Sequence, residues 1–152
     1  MSVKIINGNL LDATEDIICH QVNCQGVMGS GVALAIREKW PEVYERYHKF
    51  VELNRRGHLL GHVLYAPTEN EEQHVANMFA QNLYGYDGDR YTSYDAFYKC
   101  LEQIREEMPA WYSIAFPYKI GSDRGGASWD VIYAMICDVL GNRDVTIYKL
   151  ED

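Results

Sequence analysis

Two features of the sequence predict an α/β fold, with helices on both faces of a largely parallel or mixed sheet. Short apolar runs of strand length alternate with segments whose apolar residues recur at helical spacing. Two glycine-rich stretches each sit between such a run and such a segment, where an α/β sheet carries its ligand loops.

The elements follow in order along the chain. Residues 3–6 form an apolar strand that stops at the turn signal Asn7-Gly8-Asn9. Residues 17–22 are a second strand. A helix over 32–39 ends at Trp40-Pro41, and Pro41 opens another helix, being well tolerated at a first helical position. Val43, Tyr47, Phe50 and Val51 are the apolar face of that second helix. Strands are expected over 59–65 and 74–81, joined by a polar turn at 68–73. A Gly-, Asp- and Tyr-rich loop spans 85–91. Thr92-x-x-Asp95 reads as a capping box for a helix with Phe97, Leu101, Ile104 and Met108 on one side. Residues 111–116 are a strand. A helix with Trp129, Ile132, Ile136, Val139 and Leu140 follows, and 145–150 is the last strand.

Length and composition narrow the function. A chain of 152 residues fits one domain spanning 1–152, and 47% hydrophobic against 24% charged residues is a globular balance. The formal net charge of −8 argues against nonspecific nucleic-acid binding, which needs a basic surface, and so against a nucleic-acid-binding module. It does not oppose an anionic small ligand, because backbone N–H groups hold phosphate without Lys or Arg. Cys19, Cys24, Cys100 and Cys137 form no C-x-x-C pair, and with the histidines they complete no zinc pattern, so no metal is expected. Cys100 and Cys137 read as buried free thiols, which suits a reducing cytoplasm. No signal peptide or membrane span is expected.

The first glycine stretch reads Asn23-Cys24-Gln25-Gly26-Val27-Met28-Gly29-Ser30-Gly31-Val32-Ala33. A diphosphate must come close to main-chain N–H groups, and a Cβ obstructs that approach. The helix start behind the loop adds a favourable dipole for anions. A tight strand-to-helix connection would also call for glycine. The absence of G-K-[ST] excludes a P-loop. Gly26-x-x-Gly29-x-Gly31 is not the Rossmann fingerprint either. The second stretch, Pro117-Tyr118-Lys119-Ile120-Gly121-Ser122-Asp123-Arg124-Gly125-Gly126-Ala127-Ser128-Trp129, has the same placement, so that the two could clamp one ligand from both sides.

Asn7-Gly8-Asn9-Leu10-Leu11, residues 22–33 and residues 117–129 together resemble the macrodomain family, in order and spacing. The likeness spans nearly the whole chain. It is closest to the branch of ADP-ribose-1″-phosphate phosphatases and single-domain de-ADP-ribosylating hydrolases. The resemblance implies a three-layer α/β/α sandwich with a central mixed sheet and ADP-ribose in a cleft at the strand ends, with no cofactor. It implies that Asn9, in place of the family's Asp, accepts from the adenine amino group and that the Leu10 backbone faces the ring. Asn23 is expected on a distal-ribose hydroxyl. Gly29, Ser30, Gly31 and Val32 are expected around the diphosphate and distal ribose. Gly121, Ser122, Asp123, Arg124, Gly125 and Gly126 are expected to close over the phosphates. Ser122 and Asp123 stand where relatives carry Cys and Gly. An Asp beside a diphosphate repels it, so Asp123 is expected either at the distal ribose, as base or acceptor, or as an exposed turn residue paired with Arg124.

Some hydrolases of this branch attack with a Lys just after the strand matching 74–81. Residues 82–87 contain none, so no lysyl intermediate is expected. Asn23, Asp123 and His20 remain as catalytic candidates; a strand histidine is also commonly satisfied by ordinary hydrogen bonds. Tyr84, Tyr86 and Tyr118 are candidates for the cleft wall, whereas Tyr47 and Tyr98 read as packing residues on helices. Two functions follow: a hydrolase of ADP-ribose 1″-phosphate or of an ADP-ribosylated macromolecule, or a module that binds ADP-ribose without turning it over.

Overall fold

The computed structural model describes residues 2–54, 58–69, 71–85 and 87–150. Six strands, β1 (Val3–Asn7), β2 (Ile17–Val22), β3 (Val63–Pro67), β4 (His74–Phe79), β5 (Ser113–Pro117) and β6 (Asp144–Lys149), form one sheet in the order β1-β6-β5-β2-β4-β3. Every neighbouring pair is parallel except β3 with β4. The helices are α1 (Gly31–Lys39), α2 (Pro41–Leu53), α3 (Tyr94–Glu107) and α4 (Trp129–Leu140), with a 3₁₀ turn at Leu10–Asp12. No described helix is long and apolar enough to cross a membrane.

Side-chain alternation along β2 divides the core between two faces. Ile17 and Cys19 pack with Phe97, Ile104, Ile132 and Ile136 of α3 and α4. Ile18 packs with Ile36 of α1 and Val43 of α2, and Val22 with Tyr47 and Val51 of α2. A central strand buried on both faces is therefore a continuous apolar run, as the sequence has it. The expected three-layer α/β/α sandwich with a mixed sheet is the observed one.

Three local expectations are corrected. The strand expected over 59–65 begins only at Val63 and runs to Pro67. Gly61, at φ +93, turns the chain instead, and its N–H donates to the Phe79 carbonyl. The strand expected to reach 81 stops at Phe79. The cap of α3 is Ser93, whose hydroxyl accepts from Ala96 N at 3.1 Å, and not Thr92. Thr92 is buried beneath the second glycine loop.

Candidate functional site

Because β2, β4 and β5 are parallel, their C-terminal ends meet along one edge of the sheet, and the segments that leave them enclose a cleft of about 200 Å³. Its walls include Asn23, Gly29, Ser30, Gly31 and Val32 of the first loop, and Tyr118, Lys119, Gly121, Asp123, Arg124 and Gly125 of the second. His20 and Gln21 of β2, with Gln81, Tyr84 and Gly85 beyond β4, complete it.

The first loop is built around Asn23, which is 8% exposed. Its Oδ1 accepts from Gln25 N (2.9 Å) and lies 3.4 Å from Val27 N, while Nδ2 donates to the Val27 carbonyl (2.8 Å). From α2, the Tyr47 hydroxyl reaches both the Asn23 carbonyl (2.7 Å) and its Oδ1 (2.9 Å). Burial pushes the Tyr47 phenol above its ordinary range, so it stays a neutral donor. Tyr47 is thus a packing residue that also clamps the loop. Tyr98 packs as expected, its hydroxyl donating to Asp138 of α4 at 2.7 Å. Gly31, the first residue of α1, has φ +59, and among the described residues nothing lies within 4 Å of where its Cβ would stand. Open space and a helix N-terminus coincide there.

Thr92 and its neighbours hold the second loop from below. Tyr91 N and Thr92 N both donate to the Gly125 carbonyl (2.8 and 3.0 Å), and the Thr92 hydroxyl donates to the Gly121 carbonyl (2.8 Å). A Cβ on Gly125 would overlap Thr92 Oγ1 and stand 2.6 Å from the Gly121 carbonyl oxygen. On Gly126 it would come within 2.7 Å of the Asp89 carbonyl oxygen. The glycine pair therefore serves the approach of the 89–92 segment. Gly126 is not part of the cleft wall. Lys119 lies in the left-handed region (φ 62), a conformation that for a lysine marks a constrained turn.

His20 is 1% exposed, on the β2 face toward α1 and α2. Its Nε2 is 2.6 Å from Asn77 Oδ1. Desolvation holds its pKa down at about 4, against the opposing effect of the Asn77 hydrogen bond, so the ring is neutral at pH 7. Its Nδ1 is buried with no hydrogen-bond partner among the described residues. Asp123 is exposed at the cleft, and its carboxylate makes no hydrogen bond or ion pair among the described residues. The exposed position agrees with the expected turn, but the expected pairing of its carboxylate with Arg124 is not formed; Arg124 also lines the cleft.

A family model described as Macro domain matches residues 19–136. The chain belongs to the macro domain family. A DNA ADP-ribosyl glycohydrolase of Mycobacterium tuberculosis is 30% identical over 149 residues, which are 93% of this chain and 40% of that protein. The macrodomain thus spans well under half the length of the curated glycohydrolase that it matches. An ADP-ribose 1″-phosphate phosphatase of Aspergillus oryzae is 42% identical over 48 residues, 31% of this chain and 24% of that protein. The macrodomain of Mycobacterium tuberculosis DarG superposes with a TM-score of 0.78 at 26% identity, covering 96% of each chain.

Several expected site residues of this macrodomain stand apart from the cleft wall. The Asn9 side chain caps the 3₁₀ turn, accepting from Leu11 N at 2.9 Å, and the Leu10 side chain is buried against the core. The Ser122 hydroxyl is turned to the Ile120 carbonyl (3.4 Å). Tyr84 and Tyr118 line the cleft, and Tyr86 lies outside the described residues. Gln21, Gln81 and Lys119, which carried no motif, are on the wall. Only the position of Gln21 within β2, one residue from His20, could have signalled the first of these.

Proposed function

We propose that this macrodomain binds ADP-ribose or a derivative in the cleft between its glycine loops and hydrolyses a bond at the distal ribose. One observation carries the reading: Gly31 opens α1 with its Cβ direction empty, so phosphate oxygens can reach the helix-start N–H groups without obstruction. The names of its relatives, a glycohydrolase and an ADP-ribose 1″-phosphate phosphatase, support the ligand class.

In the phosphatase form, water attacks the 1″ phosphorus, the phosphorus–oxygen bond to the sugar breaks, and ADP-ribose leaves as inorganic phosphate forms. In the glycohydrolase form, water attacks C1″ and the bond to the modified macromolecule breaks, with the proton passing to the leaving group. Asp123 is the base in either case, being the carboxylate on the cleft wall. His20 is buried and its Nε2 is held by Asn77, so it orients a donor through Nδ1. Asn23 offers its second amide N–H to the distal ribose. No cofactor and no lysyl intermediate take part. The unit is the single domain 1–152, working in the cytoplasm, and its charge of −8 keeps nonspecific nucleic acid away.

A second reading, a module that binds without turnover, is favoured by the commitment of Asn23 and His20 to internal hydrogen bonds. Calorimetry with ADP-ribose tests the ligand: absence of heat at millimolar concentration rejects both readings. Phosphate release from ADP-ribose 1″-phosphate, beside loss of label from ADP-ribosylated protein or DNA, then separates enzyme from module.

A further inference from the structure

Two lysines converge on one aromatic ring at the edge of the cleft. Pro117 of β5 is in register with Tyr148 of β6, and the Tyr118 N–H donates to the Tyr148 carbonyl at 2.9 Å. The next residue of β6, Lys149, is thereby set beside Tyr118, and its Nζ lies 4.8 Å from the ring centroid. Lys119 Nζ lies 5.7 Å from the same centroid. Tyr118 and Lys119 are both part of the cleft wall, and the indole of Trp129 meets the Tyr118 ring edge-on at 5.1 Å. Both lysines are exposed, and neither forms an ion pair among the described residues.

The fold holds this pair in place at a cost. Lys119 keeps a left-handed φ of 62, a conformation that glycine would adopt without strain. Two ammonium groups drawn to one ring repel each other, and the aromatic face offsets only part of that. In a chain of formal charge −8, cations without carboxylate partners reverse the local sign of the field. An anion at this rim removes the repulsion. The diphosphate does not need it, being served by the main-chain N–H groups at the start of α1. The proposed function puts the distal ribose at Asn23, which directly follows β2. β6 stands two strands from β2, about 10 Å at ~4.8 Å per strand, so the lysines face the other half of the ligand, the adenosine. We propose that Lys119 and Lys149 hold a phosphate monoester on the adenosine ribose, so that the cleft prefers ADP-ribose phosphorylated at the 2′ or 3′ hydroxyl over ADP-ribose itself. This inference rests on the ADP-ribose reading.

Calorimetry of wild type against ADP-ribose, its 2′-phosphate and its 3′-phosphate tests it. One monoester should bind about tenfold more tightly than ADP-ribose at low salt, and added salt should shrink that preference. In Lys119→Met/Lys149→Met the preference should disappear. Equal affinity of wild type for all three ligands overturns the inference, as does a preference that survives the double substitution. If the double variant does not fold, Lys149→Met alone should weaken the preference, and an unchanged preference overturns the inference. Wild type that binds none of the three overturns the underlying reading and this inference with it.

Discussion

Asn77 Oδ1 lies 2.6 Å from His20 Nε2, and because Asn77 Nδ2 is turned to the Leu64 carbonyl (3.0 Å), it is an oxygen that meets the ring. Nε2 must then carry the proton, which leaves Nδ1 as an acceptor. The same contact predicts how the fold responds to acid. An unfolded imidazole takes up its proton near pH 6.5 and the folded one only near 4, so between these values the unfolded state binds more protons. The His20 contribution to stability should be flat above pH 6.5 and fall by roughly 3 kcal/mol as the pH drops to 4. Denaturant melts of wild type and His20→Gln over that range check this; the His20 contribution is absent if the two profiles are parallel.

Tyr47→Phe removes the hydroxyl that reaches both Asn23 oxygens while leaving the ring in place. The expected cost is about 1–2 kcal/mol in stability. The first loop should also loosen, weakening ADP-ribose binding. Chemical denaturation and calorimetry on the same variant read the two effects, and full retention of both refutes the clamp.

Gly31→Ala and Gly125→Ala should fail in different ways. At Gly31 the new methyl meets open space, so the protein stays folded at a cost of about 1–2 kcal/mol for the left-handed φ. Ligand affinity should fall at least several-fold, because the methyl stands where the phosphates approach. At Gly125 the methyl strikes Thr92 and the Gly121 carbonyl, so the loss is of stability, roughly 1–3 kcal/mol. Thermal melts with and without ADP-ribose distinguish the two.

Asp123→Asn removes the negative charge beside the expected diphosphate. ADP-ribose should bind a few-fold more tightly, an effect that fades with added salt. Phosphate release should fall on the order of 10²–10⁴-fold if Asp123 is the base. Unchanged release excludes that role, whatever the affinity does.

The fold was legible because its signals are local. The apolar run 17–22 and the helical spacing of Phe97, Leu101 and Ile104 each report their own environment. Residues 59–62 misled because Leu59 and Leu60 look like strand, while Gly61 decides the backbone. The Thr92 expectation missed by one residue, since Thr-Ser offers two caps in succession and burial against Gly121 claims the first. The two glycine loops were visible, but the reason for Gly125 and Gly126 was not: their neighbours, residues 89–92, are some thirty positions away. Gln21 was invisible for the same reason, its partners being Gln81 and Thr92. Asn9 could be placed by motif, yet its side-chain oxygen serves Leu11 N.

Among the described residues the edge strand β1 pairs with β6 alone, Val3 against Val145 through Asn7 against Lys149, so the two strands of this seam are far apart in the sequence. Closing so long a loop has a large entropic cost that no local contact offsets, so this seam should zip late in folding, once β5 and β2 have given β6 a template. Until then Ile5 and Ile6, still 44% and 39% exposed in the finished sheet, have no partner. Substitutions in β1 should accordingly speed unfolding while leaving the refolding rate nearly unchanged.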